Sequence, residues 1–124
     1  MNRYEENTMK TIMVAMLAAA AWAAPVFAQA PRPLTDARGM TLYISDLDTA
    51  TTSNCNSACA ATWPPMLAAP DATGTGSWSV LTRTDGNKQW TYNSKPLYTY
   101  KNDTKPGDTS GNGQNNNTWH MATP

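Results

Sequence analysis

The stretch "RTDGNKQWTYNSKPLYTYKND", Arg83 to Asp103, decides the fold. Its Asp85-Gly86 pair is a turn signal, because Gly supplies positive φ at no steric cost. After the turn, Lys88 to Asn93 alternates Trp90 and Tyr92 against polar residues. Before it, "SWSVLTR" (Ser77 to Arg83) sets Trp78, Val80 and Thr82 on one face. Two period-2 segments across Asp-Gly make an antiparallel hairpin. Ser94-Lys95 turns the chain again, and Pro96 to Lys101 gives a further strand on which Tyr98 and Tyr100 point to one side.

That strand has an earlier echo. In "GMTLYISDLD", Gly39 to Asp48, a Leu-Tyr pair is again followed by an aspartate five residues after the tyrosine, so Tyr43 and Asp48 match Tyr98 and Asp103. A tryptophan follows each tyrosine, Trp63 after 20 residues and Trp119 after 21. The near-equal spacing predicts two related half-repeats. The remaining elements fit around them. Gly39 to Ser45 alternates Met40, Leu42 and Ile44 as a strand, and "TWHM" (Thr118 to Met121) is the last one. "NCNSACAATW" forms a short helix ended by Trp63-Pro64-Pro65. Lys101 to Asn117, rich in Asn, Asp, Gly and Ser, is a long loop. The expected fold is mostly β: a small antiparallel domain of two related half-repeats with one short helix.

The domain is expected to span residues 39–124, with Gln29 to Arg38 as an extended leader. Residues 1–28 carry the marks of a secretory signal: Lys10, an apolar run from Thr11 to Ala24, then Val26-Phe27-Ala28 before the cleavage point. Translation from Met9 accounts for the polar Met1 to Thr8. The apolar run is shorter than the roughly 20 residues a membrane span needs. No cysteine stands at a lipoprotein cleavage site, so the expected product is periplasmic or secreted, with no stable membrane anchor after cleavage. Of nine basic and nine acidic residues, Arg3, Lys10, Glu5 and Glu6 fall in the signal, so the exported part is neutral. A neutral chain without a basic stripe argues against nucleic acid as a partner. The exported part has no phenylalanine and few aliphatics, so its core must be built from tryptophan and tyrosine, whose N–H and O–H groups need partners.

Cys55 and Cys59 are four apart. On a helix that spacing puts the Cα atoms about 6 Å apart, within reach of a disulfide. The same spacing can hold a soft metal such as copper, with His120, Met121 or Met66 as further ligands. His120, the single histidine, lies on the opposite strand face from Trp119 and Met121, where a surface role is the simpler reading. Asp103 and Asp108 sit in a loop that could offer oxygens to calcium, but no Glu closes it at the EF-hand spacing, and turn chemistry accounts for them. Clustered aromatics beside Asn and Asp also describe sugar-stacking faces; with so few aliphatics they are read first as core. The exported part has no Glu, and its Asp residues lie in turn-like loops, so no paired-carboxylate site is expected.

The segment Tyr98-x-Tyr100-x-x-Asp103 resembles the Yx(F/W/Y)xxD signature of a bacterial family of small secreted proteins and lipoproteins, the secreted repeat of unknown function. "GMTLY", "SNCNSACAATWPPM", "RTDGNKQWTYNSKPLY", "DTKPGDTSGNG" and "TWHM" are similar to the same family in the same order, over Gly39 to Met121. The first half departs from the signature at Ser45, where an aromatic is expected. The resemblance implies an exported β-rich repeat and no established activity. The expectation is therefore a non-catalytic structural or interaction module, not an enzyme, with no cofactor and with an unknown envelope protein or small ligand as partner. The alternative is a periplasmic copper- or small-ligand-binding protein. The motif residues Tyr43, Asp48, Tyr98, Tyr100, Asp103, Trp63 and Trp119 are expected to form a structural clasp in which each aspartate accepts bonds from nearby backbone N–H groups or a neighbouring tyrosine hydroxyl.

Overall fold

The computed structural model describes residues 32–124, and the expected signal segment, with the start of the leader, lies outside them. In chain order the elements are β1 (Tyr43–Ser45), α1 (Ala58–Thr62), β2 (Leu67–Ala68), β3 (Trp78–Thr82), β4 (Lys88–Tyr92), β5 (Lys95–Pro96), α2 (Gln114–Asn117) and β6 (Trp119–Met121). All strand pairings are antiparallel: β1 with β6, and β4 with β2, β3 and β5. The expected mostly-β antiparallel domain is present, with two short helices in place of one. The second falls in the expected loop. It is a single turn in which Asn115 (φ 53°) and Asn116 (φ 52°) are left-handed, a conformation asparagine tolerates better than most residues.

The β3–β4 hairpin forms as the alternation dictates. Thr82 pairs with Lys88, and Arg83 N–H donates to the Asn87 carbonyl at 2.8 Å, closing a loop of Thr84, Asp85 and Gly86. The next turn lies one residue earlier than expected, at Asn93-Ser94, both with positive φ, between the paired Tyr92 and Lys95. This is the two-residue hairpin whose twist suits adjoining strands. Regular strand then stops at Pro96, and Tyr98 continues it through isolated bridges. Trp78 and Val80 share one face as expected, but Leu81 on the other face is more deeply buried, while Thr82 is exposed.

The first expected strand is shorter, and its missing residues pair elsewhere. Thr35 bridges Thr41, and Leu34 N–H donates to the Ala122 carbonyl at 2.7 Å. The end of the expected leader therefore belongs to the sheet, and the domain begins before Gly39.

The two halves are interleaved. Tyr43 and Tyr98 face each other and exchange backbone bonds of 2.7 and 3.0 Å. Tyr43 is flanked on its other side by Met121, two residues past Trp119, and Tyr98 by Pro65, two residues past Trp63. Each tyrosine strand therefore lies between the opposite half's tyrosine and the opposite half's tail. The bonding repeats around this centre. Leu42 N–H donates to Leu34 and Ala122 N–H to Leu42; Leu97 N–H donates to Trp90 and Met66 N–H to Leu97. Asp46 N–H donates to Thr118 and Lys101 N–H to Thr62, both at 3.0 Å.

Two clusters fill the faces. One holds Tyr43, Cys55, Trp63, Tyr98 and Trp119, with Cys59, Tyr100 and Met121 packed against it. The other holds Leu42, Leu97 and Ala122, with Leu34, Ile44, Met66, Trp78, Trp90 and Tyr92 around it. In the first, Trp63 is sandwiched between Trp119 (centroids 3.9 Å apart, 4° between planes) and Tyr100 (4.2 Å, 24°). Tyr43 meets Trp63, and Tyr98 meets Trp119, edge-on. The loop crosses this cluster at Gly111, where an added Cβ would lie 2.8 Å from the Trp63 ring and 2.9 Å from Tyr43 Cζ. Gly111→Ala is therefore expected to lower stability by about 1–3 kcal/mol, read as a reduced urea midpoint with an unchanged slope.

Candidate functional site: a crossed tyrosine–aspartate clasp

The motif residues converge on the centre where the halves interleave. The Tyr43 hydroxyl donates to Asp103 Oδ2 at 2.6 Å, and the Tyr98 hydroxyl donates to Asp48 Oδ2 at 2.6 Å. Each half's tyrosine thus holds the other half's aspartate, across sequence separations of 60 and 50 residues. The hydroxyl that each aspartate accepts comes from the opposite half.

The other carboxylate oxygens pin the loops. Asp48 Oδ1 accepts from Asn54 N–H at 2.8 Å, and Asp103 Oδ1 accepts from Ser110 N–H at 3.0 Å and from the Ser110 hydroxyl. The hydroxyls are bonded a second time. Gly111 N–H donates to Tyr43 Oη at 3.2 Å, and Ser53 Oγ lies 2.5 Å from Tyr98 Oη. Local turns bring the aspartates to these positions: Asp48 N–H bonds the Ser45 carbonyl, and Asp103 N–H bonds the Tyr100 carbonyl. The equal offset of tyrosine and aspartate in both halves follows from this shared turn.

Burial sets the electrostatics. Desolvation, then the bond to Asp103, raises the Tyr43 hydroxyl far above its usual range. Desolvation, then the bond to Asp48, pushes the Tyr98 hydroxyl up to about 12. Burial also raises the Asp48 carboxyl, against the opposing pull of Tyr98, Asn54 N–H and the Arg83 charge.

Arg83 ends the expected strand Ser77 to Arg83, and the structure buries it. Its side chain is 2 % exposed. Nη1 donates to Ser53 Oγ at 3.0 Å and Gln89 Oε1 at 2.7 Å, and Nη2 to the Cys55 carbonyl at 2.7 Å and Asn56 Oδ1 at 3.1 Å. Gln89, fully buried, passes the chain on to the Leu97 carbonyl at 2.8 Å. One continuous polar network therefore runs from Asp48 through Tyr98 and Ser53 to Arg83 and Gln89. The signal for Arg83 and Gln89 was strand parity: both fall on the Leu81 face of the hairpin, the face that turns inward.

The remaining expected residues are placed as follows. Cys55 and Cys59 form a disulfide with Cα atoms 5.1 Å apart. His120 Nε2 lies 2.9 Å from Asp46 Oδ2 at the surface, and Met121 packs on the aromatic cluster. Met66 packs on the aliphatic cluster. Among the described residues, no three His, Cys, Asp or Glu side chains are gathered where one metal ion could be held. Asp108 Oδ2 accepts the Thr104 and Lys105 N–H groups, which with Lys105 hold its carboxyl below the usual range. Trp63 and Trp119 are core, while Trp78 and Trp90 are partly exposed on the opposite face.

Two outcomes follow. In a double-mutant cycle, Tyr43→Phe and Asp103→Asn are each expected to cost about 1.5–3 kcal/mol and to be strongly non-additive, while Tyr43→Phe with Asp48→Asn should be more nearly additive. In alkali, the unfolded chain loses phenolic protons near their ordinary value of 10.0 while the folded chain keeps them. The tyrosine contribution to stability should therefore be flat below about pH 10 and fall as pH rises towards 12. Tyr98→Phe should flatten part of that fall in urea titrations across this range.

Residues 32–66 and 79–123 match a family model described as a secreted repeat of unknown function. No curated protein and no solved structure matches the chain.

Proposed function

The chain belongs to this family of secreted repeats, and we propose that it acts as an exported, non-catalytic structural or interaction module working in the periplasm or outside the cell. The observation that carries this reading is how the polar side chains of the core are used. Tyr43, Tyr98, Asp48, Asp103 and Arg83 are the ionisable groups of this network, and each is engaged by a partner inside the domain, Arg83 through both terminal nitrogens while its buried Nε has none. Their bonds cross between the repeats, so they serve to lock one repeat to the other. The disulfide supports an oxidising location, since such bonds persist outside the cytosol. It also engages both thiols that the copper reading needs.

The partner of a module of this kind is an envelope protein or small ligand that meets its surface. Leu47 and Leu67, 69 % and 55 % exposed, are the large apolar side chains that the domain leaves in solvent. Photo-crosslinking amino acids placed at these two positions in intact cells are expected to give adducts of discrete mass. Protein purified from the same cells should titrate with no free thiol and hold no copper. Two free thiols with copper retained would overturn the module reading in favour of a copper carrier.

A further inference from the structure

The outer strands of the domain are finished differently. On β6, the Trp119 carbonyl accepts Gly113 N–H at 2.7 Å and Met121 N–H donates to Asn112 Oδ1 at 3.1 Å. The loop before β6 thus occupies its outward groups. β3 has no such cover along most of its length. Arg83 N–H bonds Asn87 and Asn93 N–H bonds the Ser77 carbonyl, so the odd-numbered residues 77 to 83 face β4. By the alternation of antiparallel ladders, the main-chain groups of Trp78, Val80 and Thr82 point away from the sheet. The loop before β3 reaches only the first of these: Trp78 N–H bonds the Thr75 carbonyl, and Gly74 sits so close that a Cβ there would lie 1.9 Å from the Trp78 carbonyl oxygen. Among the described residues, the N–H and C=O of Val80 and of Thr82 have no backbone or side-chain partner.

An edge of this kind is normally blunted by charge, proline or a bulge. Trp78 to Thr82, "WSVLT", has none of these, and its five residues pair with β4 in unbroken register. Beside it lies an open hollow of about 510 Å³, lined by Ala50, Thr51, Ser79, Leu81, Thr91 and Ser94 among others.

We propose that β3 is an interaction edge and that its occupant is β3 of a second copy of this chain, paired antiparallel about a twofold axis at Leu81. The open groups themselves single out this register. Placing Val80 opposite Thr82 of the second copy, and Thr82 opposite its Val80, lets each pair exchange both N–H···O=C bonds. The groups already taken at Trp78 stay outside the pairing. The interface is isologous, so it closes on itself as a dimer rather than growing into a filament. The strand itself carries no ionised residue, the Lys88 ammonium of β4 donates to the Thr82 hydroxyl at 2.5 Å, and the whole chain has nine basic and nine acidic side chains.

This inference rests on the reading of the domain as an interaction module and names one partner for it. The test is sedimentation of protein purified from an oxidising compartment, over a range of concentrations, with two variants. Val80→Pro removes an N–H that points away from β4, so the hairpin ladder is untouched. Thr82→Lys places a charge on the exposed edge. Wild type is expected to move from the mass of one chain towards two as concentration rises. Both variants should stay at one chain, with wild-type near-ultraviolet circular dichroism and an intact disulfide. A wild type that remains monomeric overturns the proposal, as does a dimer that both folded variants preserve. Either result leaves the crosslinking at Leu47 and Leu67 to judge the module reading separately.

Discussion

The structure depends on the pairing of Tyr43 with Tyr98. Their main chains exchange two hydrogen bonds, and each side chain then crosses to the opposite aspartate. A carboxylate withdrawn from water is costly unless it is well bonded, and here buried Asp103 and half-buried Asp48 each receive a tyrosine hydroxyl and a loop N–H. The tyrosine rings meanwhile pack in T-shaped contact with Trp63 and Trp119. One residue type thus solves two problems of a phenylalanine-free core: it fills volume, and it satisfies the charged group that anchors each loop. Arg83 extends the arrangement, since it binds neutral oxygens around Ser53 and Cys55 with its nearest carboxylate partner, Asp85, 3.9 Å away.

The halves are equivalent in bonding but not in filling. Tyr100 stacks on Trp63. Ser45, its counterpart in the first half, is buried but too small to stack, and it uses its hydroxyl to accept Leu47 N–H at 3.2 Å. The first half instead contributes the Cys55–Cys59 disulfide, with Cys55 2 % exposed in the same aromatic cluster. Loss of one ring and gain of one disulfide leave both loops tied to the common core. The sulfur atoms therefore count as packing material as well as a cross-link.

Much of this was legible from residue order alone. Alternation around Asp85-Gly86 identified the β3–β4 hairpin, and the Leu-Tyr echo with its downstream aspartate and tryptophan identified two related halves. The spacing of Cys55 and Cys59 allowed the bond that forms. What stayed hidden was long-range. A tyrosine five residues before an aspartate invites a bond within the loop, and nothing local states that the partners are exchanged over 50 and 60 residues. Arg83 beside a turn looks like solvent-facing charge, and although parity sets it on the Leu81 face, its partners Ser53 and Cys55 come from 30 and 28 residues away. The pairing of Leu34 with Ala122 was likewise invisible in a segment broken by prolines.

The interleaved tails also bear on how the chain reaches its native state. Residues up to Met66 emerge first during synthesis, yet the tail after Trp63 has its place beside Tyr98, and the strand at Tyr43 finds its outer neighbour only at Met121. The early part has no complete sheet of its own to fold into. Most of its reward arrives when nearly the whole sequence is present, which makes acquisition of structure non-local and slow compared with helical chains of this size.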